Sequence, residues 1–286
     1  MKKIKFVKYQ GNGNDFIILD NRVNSITKEL FDKKFFDISK LCDRNFGIGA
    51  DGVIFIMKPD SDNDVKMIIY NSDNSEAEMC GNGIRCLIQY LNDNDSLIKK
   101  KNVYKVETKA GLKIGRINSD GITVKMGMPI FKSNLIPTTI DTLVNEIPSI
   151  NFKSKGFNAI GYAVGMGNPH LVFFVDDINK ISLNILGPLF ENNKYFPDKT
   201  NVHFCEILNN KNIKVLVWER GVGTTLACGT GACAVHSVAF KLGLCDNKTQ
   251  IILPGGILLI DWNNSGEEIL MTGNSKIVFN GSYILN

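Results

Sequence analysis

The chain has 286 residues, 44% hydrophobic and 22% charged, with a formal net charge of +4. That balance excludes a disordered chain and supplies apolar material for two cores, so two domains are the expectation. The positive charge is scattered, its one dense run (Ile98 to Asn102) reads as a solvated loop, and no stretch approaches the roughly 18 apolar residues of a membrane span; nucleic-acid and membrane partners are excluded and a cytoplasmic protein is expected.

In chain order, "KIKFVKYQ" reads as a strand, "GNGND" as a polar glycine turn and "FIILD" as a second strand, which is the punctuation of a hairpin. Thr27 to Cys42 reads as a helix, because Leu30, Phe31, Phe35, Ile38 and Leu41 recur at spacings of three and four. Strands are expected at Val53 to Met57 and Val65 to Tyr70, then a short buried helix at "IRCLIQYL", then three strands separated by glycine turns from Val103 to Met126. The second half repeats the plan, with strands at Leu171 to Val175, Val202 to Ile207 and Ile213 to Trp218. A helix follows from about Gly229 to Leu242, striped by Val235, Val238, Ala239 and Leu242. Strands at Ile251 to Leu253, Ile257 to Ile260, Glu268 to Met271 and Ile277 to Phe279 close the chain. No linker separates the halves, so the repeat itself sets the division. We read 1–128 as the first half, to which a terminal strand at about 275–286 can return, and 129–274 as the second.

Within this repeat, "EMCGNGIRC" at 78–86 and "LACGTGACA" at 226–234 place a Cys-Gly-x-Gly tetrad before a helix in each half. Seven cysteines, an odd number, argue against a disulfide framework and for reduced thiols. At a helix start several backbone N–H groups lack intrahelical partners, so a nearby thiolate is stabilised and a bound carboxylate finds donors. Cys80 and Cys228 sit where their thiols should be acidified, and the following glycines let backbone approach a ligand.

Any one cysteine before a helix is ordinary packing; two in matched contexts are not. A zinc site from Cys80, Cys86, Cys228 and Cys233 lacks the usual two-residue spacing, so no metal is expected. Neither tetrad thiol belongs to a C-x-x-C pair, there is no G-x-S-x-G, and "GNGNDF" lacks phosphate-loop spacing. Two acid-base groups of one kind suit a racemase or epimerase, which removes a proton from one face of a carbon and returns one to the other. A two-domain amino-acid binding protein with packed cysteines is the non-enzyme alternative.

"GNGNDF", "YNSDNSEAEMCGNGIRC", "GMGNPH", "FPDKTNVHF" and "ERGVGTTLACGTGACA" occur in the order and approximate spacing of the diaminopimelate epimerase family, which the chain resembles over nearly its whole length. The resemblance implies an α+β fold of two pseudo-symmetric domains, each a β barrel-like sheet wrapped around a central helix, with the active site in the cleft between them. It implies interconversion of LL- and meso-2,6-diaminopimelate on the route to lysine and peptidoglycan, with no cofactor and no metal, and it suggests a homodimer.

Carried over by motif, Cys80 and Cys228 are the two bases. The backbone amides of Gly81, Asn82, Gly229 and Thr230 hold the carboxylate at the reacting carbon. Asn14, Asn71, Asn168, Asn201, Glu219 and Arg220 recognise the substrate's amino and carboxylate groups, and His170 and Glu219 tune the thiols. His203 and His236 read as structural histidines. Some members place a glutamine contact where this chain has Gly52, which supplies backbone alone. Proline racemase-like enzymes share the cysteine pair but typically carry His where this chain has Asn82, and PhzF-like isomerases lack the pair.

Overall fold

The structure is a computed structural model that describes residues 2–24, 37–94, 101–154, 156–264 and 266–285. The chain divides into two compact units, Met1–Val124 with Gly273–Asn286, and Lys125–Thr272.

In the first unit the strand Lys2–Gly11 pairs antiparallel with Lys276–Leu285 on one side and Asn14–Asp20 on the other. Asn14–Asp20 runs parallel to Gly52–Met57, which is antiparallel to Val65–Asn71. Val65–Asn71 then pairs parallel with Val103–Thr108, and antiparallel hairpins continue through Gly111–Asn118 to Gly121–Lys125. Parallel neighbours need a crossover, and here it is the helix Gly81–Asn94. That helix packs against the strands at one end of the sheet and against Gly111–Asn118 near the other, so the sheet curls around it. Gly81 to Ile88 and Leu91 are buried, as a helix enclosed by sheet requires.

The second unit repeats the pairing scheme. Ile147–Ser154 is antiparallel to Phe157–Gly165, and Phe157–Gly165 to Pro169–Phe174. Pro169–Phe174 runs parallel to Asn201–Asn209, itself antiparallel to Asn212–Glu219. Asn212–Glu219 pairs parallel with Lys248–Leu253, followed by Gly256–Asp261 and Leu270–Gly273. The crossover helix is Gly229–Lys241, every residue of which from Gly231 to Ala239 is buried. A second helix, Leu183–Glu191, covers an aromatic cluster in which Phe173 lies 4.8 Å from Phe190 and stacks on Phe204 at 5.3 Å between ring centres.

One sequence expectation needs correction, and two elements were missed. The helix over Thr27 to Cys42 is not continuous: Asp37 is extended (φ −93°, ψ 107°) and caps a separate helix, Ile38–Cys42, by accepting from the Lys40 N–H. The rest of that reading lies outside the described residues. The hairpin Ile147–Gly165 and the helix Leu183–Glu191 were not anticipated. Among the described residues no helix is long and apolar enough to cross a membrane.

Candidate active site

In the first unit the hairpin between Gly11 and Asn14 turns through two residues of positive φ, Asn12 (54°) and Gly13 (81°), the pairing an Asn-Gly turn of this kind favours. The turn delivers Asn14 to the start of the helix. Its Nδ2 donates to Asp51 Oδ2 (2.8 Å), which leaves Oδ1 to accept from Asn82 Nδ2 (3.3 Å) and from the Cys80 thiol (3.7 Å). Asp51 is held in turn by Arg44 (2.8 Å), which also grips Asp15 through both guanidinium nitrogens. Burial opposes ionisation of Asp15, but hydrogen bonds and charge from Arg44 and Lys8 outweigh it and hold the carboxyl below its ordinary value.

Cys80 immediately precedes the helix and its sulfur accepts the Gly83 N–H at 3.4 Å. Gly83 is closely packed, since an added Cβ would lie 3.2 Å from both Ile54 Cδ1 and Ile69 Cδ1. Thus Asn14, Cys80 and Asn82 come together, and Gly81 lies buried beside them. Asn71 ends its strand exposed and bonds Ser75 Oγ (3.0 Å). At Gly52 an added Cβ would sit 2.5 Å from the Tyr70 carbonyl oxygen, so this sheet admits no side chain there.

The second unit reproduces the thiol cap. Cys228 is the N-cap residue of Gly229–Lys241, and its sulfur accepts the Gly231 N–H at 3.3 Å and contacts Thr230 Oγ1 at 3.5 Å. Beneath Gly231 lies His203: an added Cβ would approach its Cε1 to 2.3 Å. His203 Nε2 is 2.9 Å from His170 Nδ1, and His170 Nε2 is 2.8 Å from Asn168 Oδ1. With Asn168 Oδ1 accepting, His170 carries its proton on Nε2, His203 donates from Nε2, and His203 Nδ1 is buried without a partner. Burial, then the neighbouring His203 ring and the charge of Arg220, push His170 well below its ordinary pKa; burial pushes His203 down to about 3. Both rings are neutral at pH 7.

Asn201 is buried and spends its amide locally: Nδ2 donates to the Pro169 carbonyl (2.9 Å) and Oδ1 accepts the Arg220 N–H (3.0 Å). Glu191, also buried, accepts from Trp218 Nε1 (2.7 Å) and the Gly221 N–H (2.8 Å). Two buried side chains therefore clamp the turn that carries Arg220, whose exposed guanidinium donates to the Asp198 carbonyl (3.0 Å). Glu219 accepts from Thr225 Oγ1 at 2.6 Å.

Sequence reasoning passed over Asp51, Arg85 and Glu191, and read His203 as a structural histidine. Arg85 alone left a signal, as a cation inside the apolar run "IRCLIQYL". Cys86, the other thiol of the first motif, is fully buried and pushed up to about 12 by desolvation.

The arrangement is a duplicated unit in which a thiol caps a buried helix. The same fold occurs in a hydroxyproline epimerase from Agrobacterium vitis, solved with bound trans-4-hydroxy-L-proline (TM-score 0.70, 14% identity, 99% of this chain and 91% of that one covered). The sequence model described as "Diaminopimelate epimerase" matches residues 6–132 and 162–278. Curated relatives carry the same description. One from Prochlorococcus marinus (strain NATL1A) is 48% identical with 98% of each chain covered, and one from Microcystis aeruginosa (strain NIES-843 / IAM M-2473) is 44% identical with 98% of this chain and 99% of the relative covered. The chain belongs to the diaminopimelate epimerase family.

Proposed function

We propose that the protein is a cofactor-independent isomerase that interconverts LL- and meso-2,6-diaminopimelate, serving lysine and peptidoglycan synthesis, by passing protons through Cys80 and Cys228. The observation that carries this reading is the repeated cap, in which each sulfur accepts the N–H three residues on, at 3.4 Å and 3.3 Å. One cysteine as thiolate takes the α proton from one face, and the other as thiol delivers a proton to the opposite face; the reverse direction exchanges the roles.

Charge that builds on the α-carboxylate as the proton leaves needs fixed donors. The first intrahelical bonds are Ile84 N–H to Cys80 O and Ala232 N–H to Cys228 O. The N–H groups of Gly81, Asn82, Gly229 and Thr230 thus stand outside the helical ladder, and we assign them to the carboxylate. Asn14, Asn71, Asn168, Asn201, Glu219 and Arg220 are assigned to substrate recognition, with Arg220 gripping a carboxylate, and His170 and Glu219 to tuning the thiols. The working assembly is taken as a cytoplasmic homodimer, which analytical ultracentrifugation tests.

Incubating the purified protein with LL-diaminopimelate in heavy water should place deuterium at the α carbon and yield the meso isomer. No exchange would leave a binding protein, and equal turnover of proline would favour a racemase of the proline type. With analogues bearing a leaving group beside the α carbon, Cys80→Ala and Cys228→Ala should each lose epimerisation and lose elimination from opposite configurations. Both failing on one configuration would remove the two-base mechanism.

A further inference from the structure

Arg85 is fully buried, on the helix whose start carries Cys80. Burying a guanidinium is costly unless most of its donors are satisfied, and in Arg85 it is the two terminal nitrogens that bond while Nε is buried without a hydrogen bond. Three of its bonds run back to the catalytic end of the helix: Nη2 to Asn12 Oδ1 (2.8 Å) and to Asn82 Oδ1 (2.9 Å), and Nη1 to the Gly81 carbonyl (3.4 Å). It thereby ties the left-handed Asn12 of the hairpin turn to the two residues that follow Cys80. An added Cβ at Gly11 would sit 3.2 Å from the same Nη2, so the turn is packed directly on the guanidinium.

We propose that Arg85 is a positioning residue for Cys80: its guanidinium braces Asn12 and Asn82 at the helix start and supplies a fixed positive charge that favours the Cys80 thiolate. The bracing acts through a chain of contacts. With its Oδ1 taken by Arg85, Asn82 must present Nδ2 to Asn14 Oδ1, the atom that meets the thiol. Two influences on the sulfur oppose each other. The S–H contact to Asn14 Oδ1 stabilises the neutral thiol, but at 3.7 Å it is weak, whereas a full charge in a buried setting acts at longer range.

Other ionisable groups of this region are Asp51, paired with Arg44 and bonded to Asn14; Asp15, paired with Lys8 and Arg44; and the Cys86 thiol, which stays neutral. The two carboxylates carry their own cations, which leaves Arg85 as the charge acting from the helix itself.

The test is the pH profile of iodoacetamide alkylation, resolved by mass spectrometry so that Cys80 and Cys228 are followed in the same molecule. Arg85→Met, of similar length and uncharged, should raise the apparent pKa of Cys80 so that its alkylation at pH 7 slows by about tenfold, while Cys228 is unchanged. Asn12→Gly keeps the left-handed turn and removes one brace; it should shift Cys80 the same way by a smaller factor, and it decides the matter if Arg85→Met does not fold. A Cys80 profile identical to the parent's in the folded variants, or an equal shift at both thiols, overturns the proposal. It rests on Cys80 being a working acid-base group, but alkylation needs no turnover, so a failed heavy-water exchange and a failed alkylation shift are separate results.

Discussion

Lowering the pH from 7.5 to 5 should unfold the second unit selectively. All three histidines of the chain, His170, His203 and His236, lie in Lys125–Thr272 and are fully buried. Desolvation pushes His203 down to about 3 and His236 down to about 4; His170 is also held low, by burial, the His203 ring and the Arg220 charge. A histidine with a depressed folded pKa binds no proton in the fold, whereas the unfolded chain binds one below about 6.5, so stability is lost as pH falls through that value. At pH 5 His203 and His236 each cost about 2 kcal/mol, about 4 kcal/mol together, and His170 acts in the same direction, a large share of the stability of a domain. Carboxylates act in a separate window: Asp15, held below 3.8 by Arg44 and Lys8, contributes stability that is lost only as pH falls below about 4. Both tryptophans, Trp218 and Trp262, also lie in the second unit, so urea unfolding followed by tryptophan fluorescence reads that unit alone. Its midpoint should fall steeply between pH 7 and 5. A midpoint flat across that interval would mean that the rings are charged in the fold or exposed, and would refute the neutral Asn168–His170–His203 string.

Two further outcomes are expected. Gly231→Ala should destabilise the second unit by about 1–3 kcal/mol, because its Cβ would meet the rigid His203 ring at 2.3 Å, whereas Gly83→Ala meets isoleucine methyls at 3.2 Å and the Cys80 Cβ at 3.4 Å and should cost less; urea unfolding followed by circular dichroism compares them, and the reverse order would overturn the packing account. Arg220→Lys keeps the charge but loses the two-pronged grip proposed for Arg220, so kcat/KM for diaminopimelate should fall by a factor equivalent to about 1.5–3 kcal/mol, and an unchanged value removes Arg220 from substrate recognition.

The thiol-capped helices were legible because their signals are local: a Cys-Gly-x-Gly tetrad followed by apolar residues at helical spacing. Much of the strand pattern was legible for the same reason, as in Val65–Asn71, whose burial alternates along the strand. The helix Leu183–Glu191 was not, because Gly187 and Pro188 inside it read as a break. Tertiary packing explains the glycine, since a Cβ there would meet the Trp218 ring at 2.4 Å. The hairpin Ile147–Gly165 escaped because Gly161 interrupts the core-facing side that Ile150, Phe152, Ala159 and Ala163 form, and Ser149 is buried on the opposite face, which hides the alternation. At the site, sequence supplied residue types but not their partners. That Asn201 spends its amide on Pro169 and Arg220, or that Glu191 holds Gly221, depends on contacts between segments distant in the chain.

Duplication has preserved the backbone of the two caps and not what lies beneath them. Each sulfur receives the N–H of the third residue on, so the helix start acts on both thiols alike. Under the first cap lie isoleucine methyls and, behind them in the helix, a buried guanidinium; under the second lies a string of neutral imidazoles. Cys80 meets an amide oxygen that only accepts, whereas Cys228 meets a hydroxyl that can donate or accept. Equal backbone donors with unequal side-chain surroundings make the two thiols chemically distinct groups. A reversible proton transfer needs each to exist in both protonation states, and nothing in that requirement calls for equal acidity. Any difference in acidity between Cys80 and Cys228 must then come from these side chains, and substitutions at Arg85 or His203 should move it.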